Sequence, residues 1–250
     1  MQLCGWKYEG RKISDKLHEQ ILVIVNILND SSKVGKKNWP ELQKYIGREL
    51  GITTGQVRTI KRMMEELDII KKGTLNSWTI PEASIIYTDN GKTFVELMAA
   101  ENLMKQKPDS DNLKTMREIK NIYRLYYQKV LSAYTYNQDG KILHPLKATL
   151  KAIKKYEYLD YWEWYLLNTI VQKDDDAAEE AQLEKYIMSY RQGNLKFRET
   201  DIVENQLSHS YVLGNYVYAG LVCVKGNRPK LRITLNPEAH EIINEILLIK

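Results

Sequence analysis

The chain has 250 residues, 43% of them hydrophobic, and 37 Lys and Arg against 32 Asp and Glu, so it can bury one large core or two smaller ones and is not disordered. Its net charge of +5 is compatible with a nucleic-acid partner without requiring one, and its longest apolar run, ILVIVNIL at 21–28, is short and interrupted by Asn26, which excludes a helical membrane span. Cys4 and Cys223 imply neither a disulfide framework nor a zinc cluster, and no signal-peptide pattern opens the chain, so a reducing cytoplasm is the expected setting.

In chain order, MQLCGWKYEGRK places Lys7, Arg11 and Lys12 around Trp6 and Tyr8 between two glycines. That is the composition of an arm lying along a DNA groove, or of a frayed terminus. Ser14 or Asp15 then caps a helix reaching residue 29, with Leu17, Ile21, Ile24, Val25 and Leu28 inward and His18 expected on the surface.

Residues 39–80 read as helix, turn, helix and a two-stranded wing. Leu42, Tyr45, Ile46 and Leu50 recur at helical spacing and Gly51 stops that helix. Thr53 or Thr54 caps the next, whose inward stripe is Val57, Ile60, Met63, Met64 and Leu67. Gln56, Arg58, Thr59, Lys61 and Arg62 are left on its other faces. Gln and Arg can make paired hydrogen bonds to base edges, Thr can touch a thymine methyl, and Lys neutralises phosphate. Ile69 and Ile70 are expected to open a hairpin turned at 73–76 and returned by Trp78 and Ile80, with Lys71, Lys72 and Asn76 beside the helix. The bland alternative is a three-helix packing unit with solvated charges.

A further helix is expected over about 92–104. KQKPDSDN at 105–112 is the most linker-like stretch, which divides the chain into 1–107 and 108–250. The second part opens with a helix over about 113–134 that carries Lys114, Arg117, Lys120, Arg124 and Lys129. Residues 112–165 hold ten Lys or Arg against five Asp or Glu. Residues 144–171 read as two helices joined near 157–160, the second dense in aromatic rings, and DDDAAEE at 174–180 begins another helix. The opening pattern then returns, with a helix ending by Gly220, strands over 221–224 and 231–235, and a closing helix. Lys225, Asn227, Arg228, Lys230 and Arg232 make this second wing more basic than the first. A surface hairpin or a protein-binding face are its alternatives.

No phosphate loop, zinc-ligand spacing or nucleophile elbow is present. Pro108-Asp109 followed by Glu118-Ile119-Lys120 spells the pattern of metal-dependent nucleases. The surrounding period is helical, however, and two residues apart on a helix point about 200° away from each other, so Glu118 and Lys120 diverge.

Two phrases carry a family resemblance: LDIIKKGTLNSWTIPEASIIYTDNGKTFVEL and ILHPLKATLKAIKKYEYLDYWEWYLLNTI, in that order. They look like the DNA-recognition portions of type II, type IIS, restriction endonucleases of the AlwI and FokI kind. In those, a helix-turn-helix subdomain ends in a strand followed by Thr-x-x-Gly, and a Pro-Leu helical segment and a further winged-helix subdomain come after. The opening GWKYEGRKISDKL is similar to their Gly-Trp arm. The resemblance implies a recognition fragment, or a recognition subunit whose nuclease is another chain, with any divalent metal belonging to a separate nuclease domain and no cofactor here; a different double winged-helix protein is the remaining alternative.

The resulting expectation is a mainly α protein with two winged helix-turn-helix-like lobes that bind double-stranded DNA as a monomer, without a membrane. The helix at 53–67 would enter the major groove with Gln56, Arg58, Thr59 and Arg62 at or near bases and Thr53 and Thr54 of its capping turn also against DNA; Lys61, Lys71 and Lys72 would hold phosphate, the arm from Trp6 to Lys12 would track the backbone or a neighbouring groove, and the second wing would add a further contact. A winged-helix transcription regulator or replication initiator is the first alternative, and a protein-protein adaptor the second.

Overall fold

The computed structural model describes residues 1–6, 10–107, 109–138, 140–203, 206–228 and 230–248, and among them the chain is mainly helical with two small antiparallel sheets. It divides into two compact units, Glu9–Val130 and Met1–Tyr8 with Leu131–Lys250.

In the first unit the Ser14 side chain accepts from the Leu17 N–H and starts α1 (Asp15–Asn29). One turn, α2 (Ser31–Val34), leads to α3 (Trp39–Leu50), which opens with a reciprocal capping box between Asn38 and Glu41. Gly51 ends α3 at φ 62°, a left-handed conformation that costs glycine nothing, and Thr53 caps α4 (Thr54–Glu66) only two residues later. That short connection sets Leu42 and Ile46 of α3 against Val57, Ile60, Met63 and Met64 of α4, all buried with the apolar face of α1. Each such side chain contributes about 1.5 to 3 kcal/mol of transfer free energy.

The expected hairpin after α4 does not form among the described residues. Ile70 bridges Tyr87 instead of pairing with Trp78 or Ile80. The reason is local. Asn76 Oδ1 accepts from the Trp78 and Thr79 N–H groups, and Gly73 N–H donates to Glu65 Oε1, so side chains take the donors a ladder would need. A single turn, α5 (Ala83–Ile86), follows, and Thr88 caps α6 (Asp89–Gln106). The Thr-x-x-Gly phrase has a packing meaning here: the Thr88 hydroxyl donates to Asp68 O and accepts from Gly91 N–H, and a Cβ built on Gly91 would stand 1.9 Å from Ile69 O.

Next, α7 (Ser110–Ala133) lays Ile119, Tyr123 and Tyr127 into this same unit. Phe94 stacks on Tyr126 with 4.5 Å between centroids, and the Tyr126 hydroxyl donates to Leu67 O. These contacts explain why the division falls between Val130 and Leu131 and not at the polar stretch near 107: α7 belongs by its buried face to the first unit. His18, expected on the surface, is only 4% exposed. It lies edge-on to Phe94 and Tyr123 and 2.5 Å from the Tyr127 hydroxyl, because Tyr residues 105 or more positions away cover it. Burial pushes its pKa down to about 4.

In the second unit, Leu3 forms a parallel bridge with Ile202, and the Trp6 indole N–H donates to Val171 O at 2.7 Å. A hairpin the sequence reading missed, β1 (Tyr136–Gln138) and β2 (Lys141–Leu143), precedes α8 (Pro145–Tyr156). Then come β3 (Leu159–Asp160), α9 (Tyr161–Ile170), α10 (Ala177–Arg191), α11 (Gln206–Tyr218), β4 (Val222–Lys225), β5 (Arg232–Leu235) and α12 (His240–Leu247). The three strands form an antiparallel sheet in the order β3-β5-β4, with Val224 opposite Ile233 and Leu159 on its other side. Glu163, 1% exposed, is paired with Arg191 at 2.5 Å, and that guanidinium also donates to Tyr156 O and Tyr158 O. This network ties α10 to α9 and the end of α8.

Two outcomes are expected. Gly91→Ala should destabilise the first unit by about 1 to 3 kcal/mol or more, read by urea denaturation, because a methyl group cannot share space with a backbone carbonyl. His18 is neutral when folded and its pKa is lower than in the unfolded chain, so the stability it confers is complete above pH 6.5 and is lost as pH falls towards 4. About 2 kcal/mol should disappear between pH 7 and pH 5. His18→Phe should flatten that dependence; an unchanged pH profile would contradict the assignment.

Candidate nucleic-acid interface

The face of α4 turned from the core carries Thr54, Arg58 and Arg62, four residues apart and therefore aligned over about 12 Å of helix. Arg58 is exposed and makes no ion pair or hydrogen bond among the described residues. Arg62 donates from Nε to Glu66 Oε1 at 3.1 Å and keeps about half its side chain in solvent. Desolvation holds the Glu66 carboxyl above its ordinary range, with the neighbouring Arg62 and Lys72 opposing that rise. Lys71 and Lys72 are exposed and without ion pairs among the described residues.

Other expected contacts are committed within the fold. Thr53 is the N-cap, its hydroxyl accepting from Gln56 N–H, while Gln56 Oε1 accepts from Thr53 N–H. Thr59 donates its hydroxyl to Gln56 O, and Lys61 pairs with Glu65 at 2.7 Å with little exposure on either side. Asn76 uses its oxygen on Trp78 and Thr79 and its NH2 on Gly73 O. Trp6 is 3% exposed, edge-on to Trp164, so it is a core residue and not a groove contact. Lys12 is exposed, Arg11 donates to Gln20, and Lys7 lies outside the described residues.

In the second unit the β4-β5 hairpin leaves Lys225, Asn227, Arg228, Lys230 and Arg232 exposed, with the Arg228 guanidinium over the Tyr161 ring at 4.8 Å and that of Arg232 over Tyr158 at 4.3 Å. Guanidinium groups held on rings are partly desolvated and fixed in direction.

Charge separates the two units. Glu9–Val130 holds 21 Lys and Arg against 16 Asp and Glu, the full surplus of five, and the other unit holds 16 of each. The basic stretch 112–165 is split accordingly. On α7, Lys114, Arg117, Lys120 and Arg124 are exposed and make no ion pair among the described residues. On and near α8 the acidic run answers the lysines: Lys147 and Lys151 reach Asp175 at 3.1 and 3.0 Å, Lys151 also Glu180, and Lys155 Glu184 at 2.7 Å. Hydrogen bonds from Lys151 and then Lys147 hold the Asp175 carboxyl below its usual range. Asp109, part of the nuclease-like spelling, accepts from Asn112 N–H at the start of α7, and Glu118 and Lys120 both lie on that helix.

Like Trp6, Trp78 was read for the wrong role. Trp78, expected to pair within a wing, is 91% exposed on a loop fixed by Asn76. An Asn two positions before it was the available signal, since Asn turns its side chain onto the backbone two residues on. No protein-family model matches the chain, and a search of curated proteins finds no match.

Capping and recognition can be separated. Thr53→Ala should cost about 1 kcal/mol of stability. Arg58→Ala should leave the melting temperature of the protein unchanged, within about 0.5 kcal/mol, as expected for a surface side chain without a partner.

Proposed function

We propose that Glu9–Val130 binds double-stranded DNA at a specific sequence through a helix-turn-helix formed by α3 and α4, as the recognition part of a type II restriction endonuclease whose nuclease centre is not in this chain. The observation that carries the reading is the outward face of α4, where Thr54, Arg58 and Arg62 stand clear of the core on a unit holding the chain's whole positive surplus. A major groove about 12 Å wide admits such a helix. With α4 there, Gln56, Arg58 and Arg62 are the base-reading candidates, and Lys71 and Lys72 hold phosphate. The second unit supports a winged-helix reading through its sheet order, in which the strand after α8 lies beside the last strand of the hairpin. Its neutral balance and ring-bound arginines favour a smaller share of the DNA contact.

Selection from a pool of random duplexes tests this. Enrichment of an asymmetric site is expected; a palindrome would favour a dimeric regulator built from the same module. No enrichment and no binding at low salt would overturn the proposal. Arg58→Ala should cost about 1 to 3 kcal/mol of binding and relax one base position. Lys71→Ala or Lys72→Ala should weaken binding to all sequences and reduce the slope of log K against log salt by about 0.9 each.

A further inference from the structure

We propose that Trp78 is a non-ionic DNA contact, its indole set against a base or sugar face while lysines of the two chain segments that brace its loop hold phosphate; this rests on the DNA-binding reading above. A tryptophan left 91% exposed forgoes most of the burial that makes this side chain valuable to a fold. Here the exposure is enforced. Asn76 accepts from the N–H groups of both Trp78 and Thr79 and from the Thr79 hydroxyl, at 2.8, 3.0 and 3.1 Å. The same loop is anchored to the start of α3, where Trp39 N–H donates to Asn76 O and the Asn38 amide donates to Ser77 O. The ring is thus displayed on a braced backbone, with Ile80, 47% exposed, two residues on.

Charge selects the partner. The two segments joined by those bonds, residues 31–40 and 69–81, contain Lys33, Lys36, Lys37, Lys71 and Lys72 and no carboxylate of their own; of the carboxylates that reach them, Glu41 accepts from the Asn38 N–H and Glu65 from the Gly73 N–H, Glu65 being paired with Lys61 as well. Lys33 is paired with Asp30, and Lys37 donates to Lys33 O, but Lys36, Lys71 and Lys72 are exposed without an ion pair among the described residues. An apolar pocket on a protein would be a poor match for a ring in this cationic setting. A nucleic acid supplies phosphates at its edge and flat, apolar faces within, which answers both features.

The other four tryptophans, Trp6, Trp39, Trp162 and Trp164, are at most 8% exposed, so the fluorescence open to a neutral quencher such as acrylamide is that of Trp78. Trp78→Phe supplies the background. With a duplex recovered from the random pool, the expected result is loss of acrylamide access on binding. Trp78→Ala should bind about fivefold to a hundredfold more weakly with an unchanged salt slope and melting temperature, and Trp78→Phe should keep most of the affinity. Duplex binding, followed by anisotropy, with Trp78 still fully open to acrylamide would overturn this inference and leave the DNA-binding reading standing. Failure to bind any duplex would overturn both.

Discussion

Tyr126 stacks on Phe94 and reaches with its hydroxyl to the last residue before the turn that ends α4, Leu67. That arrangement locks α6 and α7 to the capped pair of helices, and everything proposed for α4 depends on it, because a reading helix is useful only if its outward face is held still. The aromatic set does the holding: Phe94, Tyr123 and Tyr127 surround His18 of α1, so one buried imidazole touches rings from two other helices. Tyrosine suits this place because each ring fills volume like Phe while its hydroxyl satisfies a buried acceptor, as Tyr123 does for Glu101.

Electrostatics follows the same division of labour. Lysines of α8 could have formed a second cationic surface, yet Lys147, Lys151 and Lys155 are answered by carboxylates at the start of and along α10, and Lys154 donates to Asn244. Exposed pairs of this kind add little stability individually. Their larger effect is to balance the charge of that unit, which leaves the chain's net positive surplus on the first unit.

What the sequence disclosed was what is decided locally. The caps at Ser14 and Thr53, the stop at Gly51 and the hairpin around Gly226 all follow from neighbours within a few residues. The sequence was silent where partners are distant. Trp6 looked like a basic arm's aromatic until its indole met Val171, and His18 sat among polar neighbours in sequence but among rings in space. The first wing failed for a subtler reason: Lys71-Lys72-Gly73 has the composition of a hairpin, but Asn76 satisfies the backbone first. The proposed interface rests on residues of α4 that the sequence displays, but which of them are already engaged is not legible there, since Lys61 and Glu65 are four apart on any reading and only the structure sets them 2.7 Å apart.

The capping box at the start of α4 has a consequence for chemical selectivity. Gln56 places its carbonyl oxygen on the Thr53 backbone N–H and within reach of the Thr53 hydroxyl, so what remains facing outward is an NH2 group that can only give hydrogen bonds. Glutamine ordinarily recognises adenine by giving one hydrogen bond and taking another. With its oxygen committed to the helix end, this side chain joins the arginines as a pure donor. Under the proposed DNA-binding function, a helix so equipped would be matched to guanine, whose major-groove edge offers two acceptors, and poorly matched to the amino groups of adenine and cytosine.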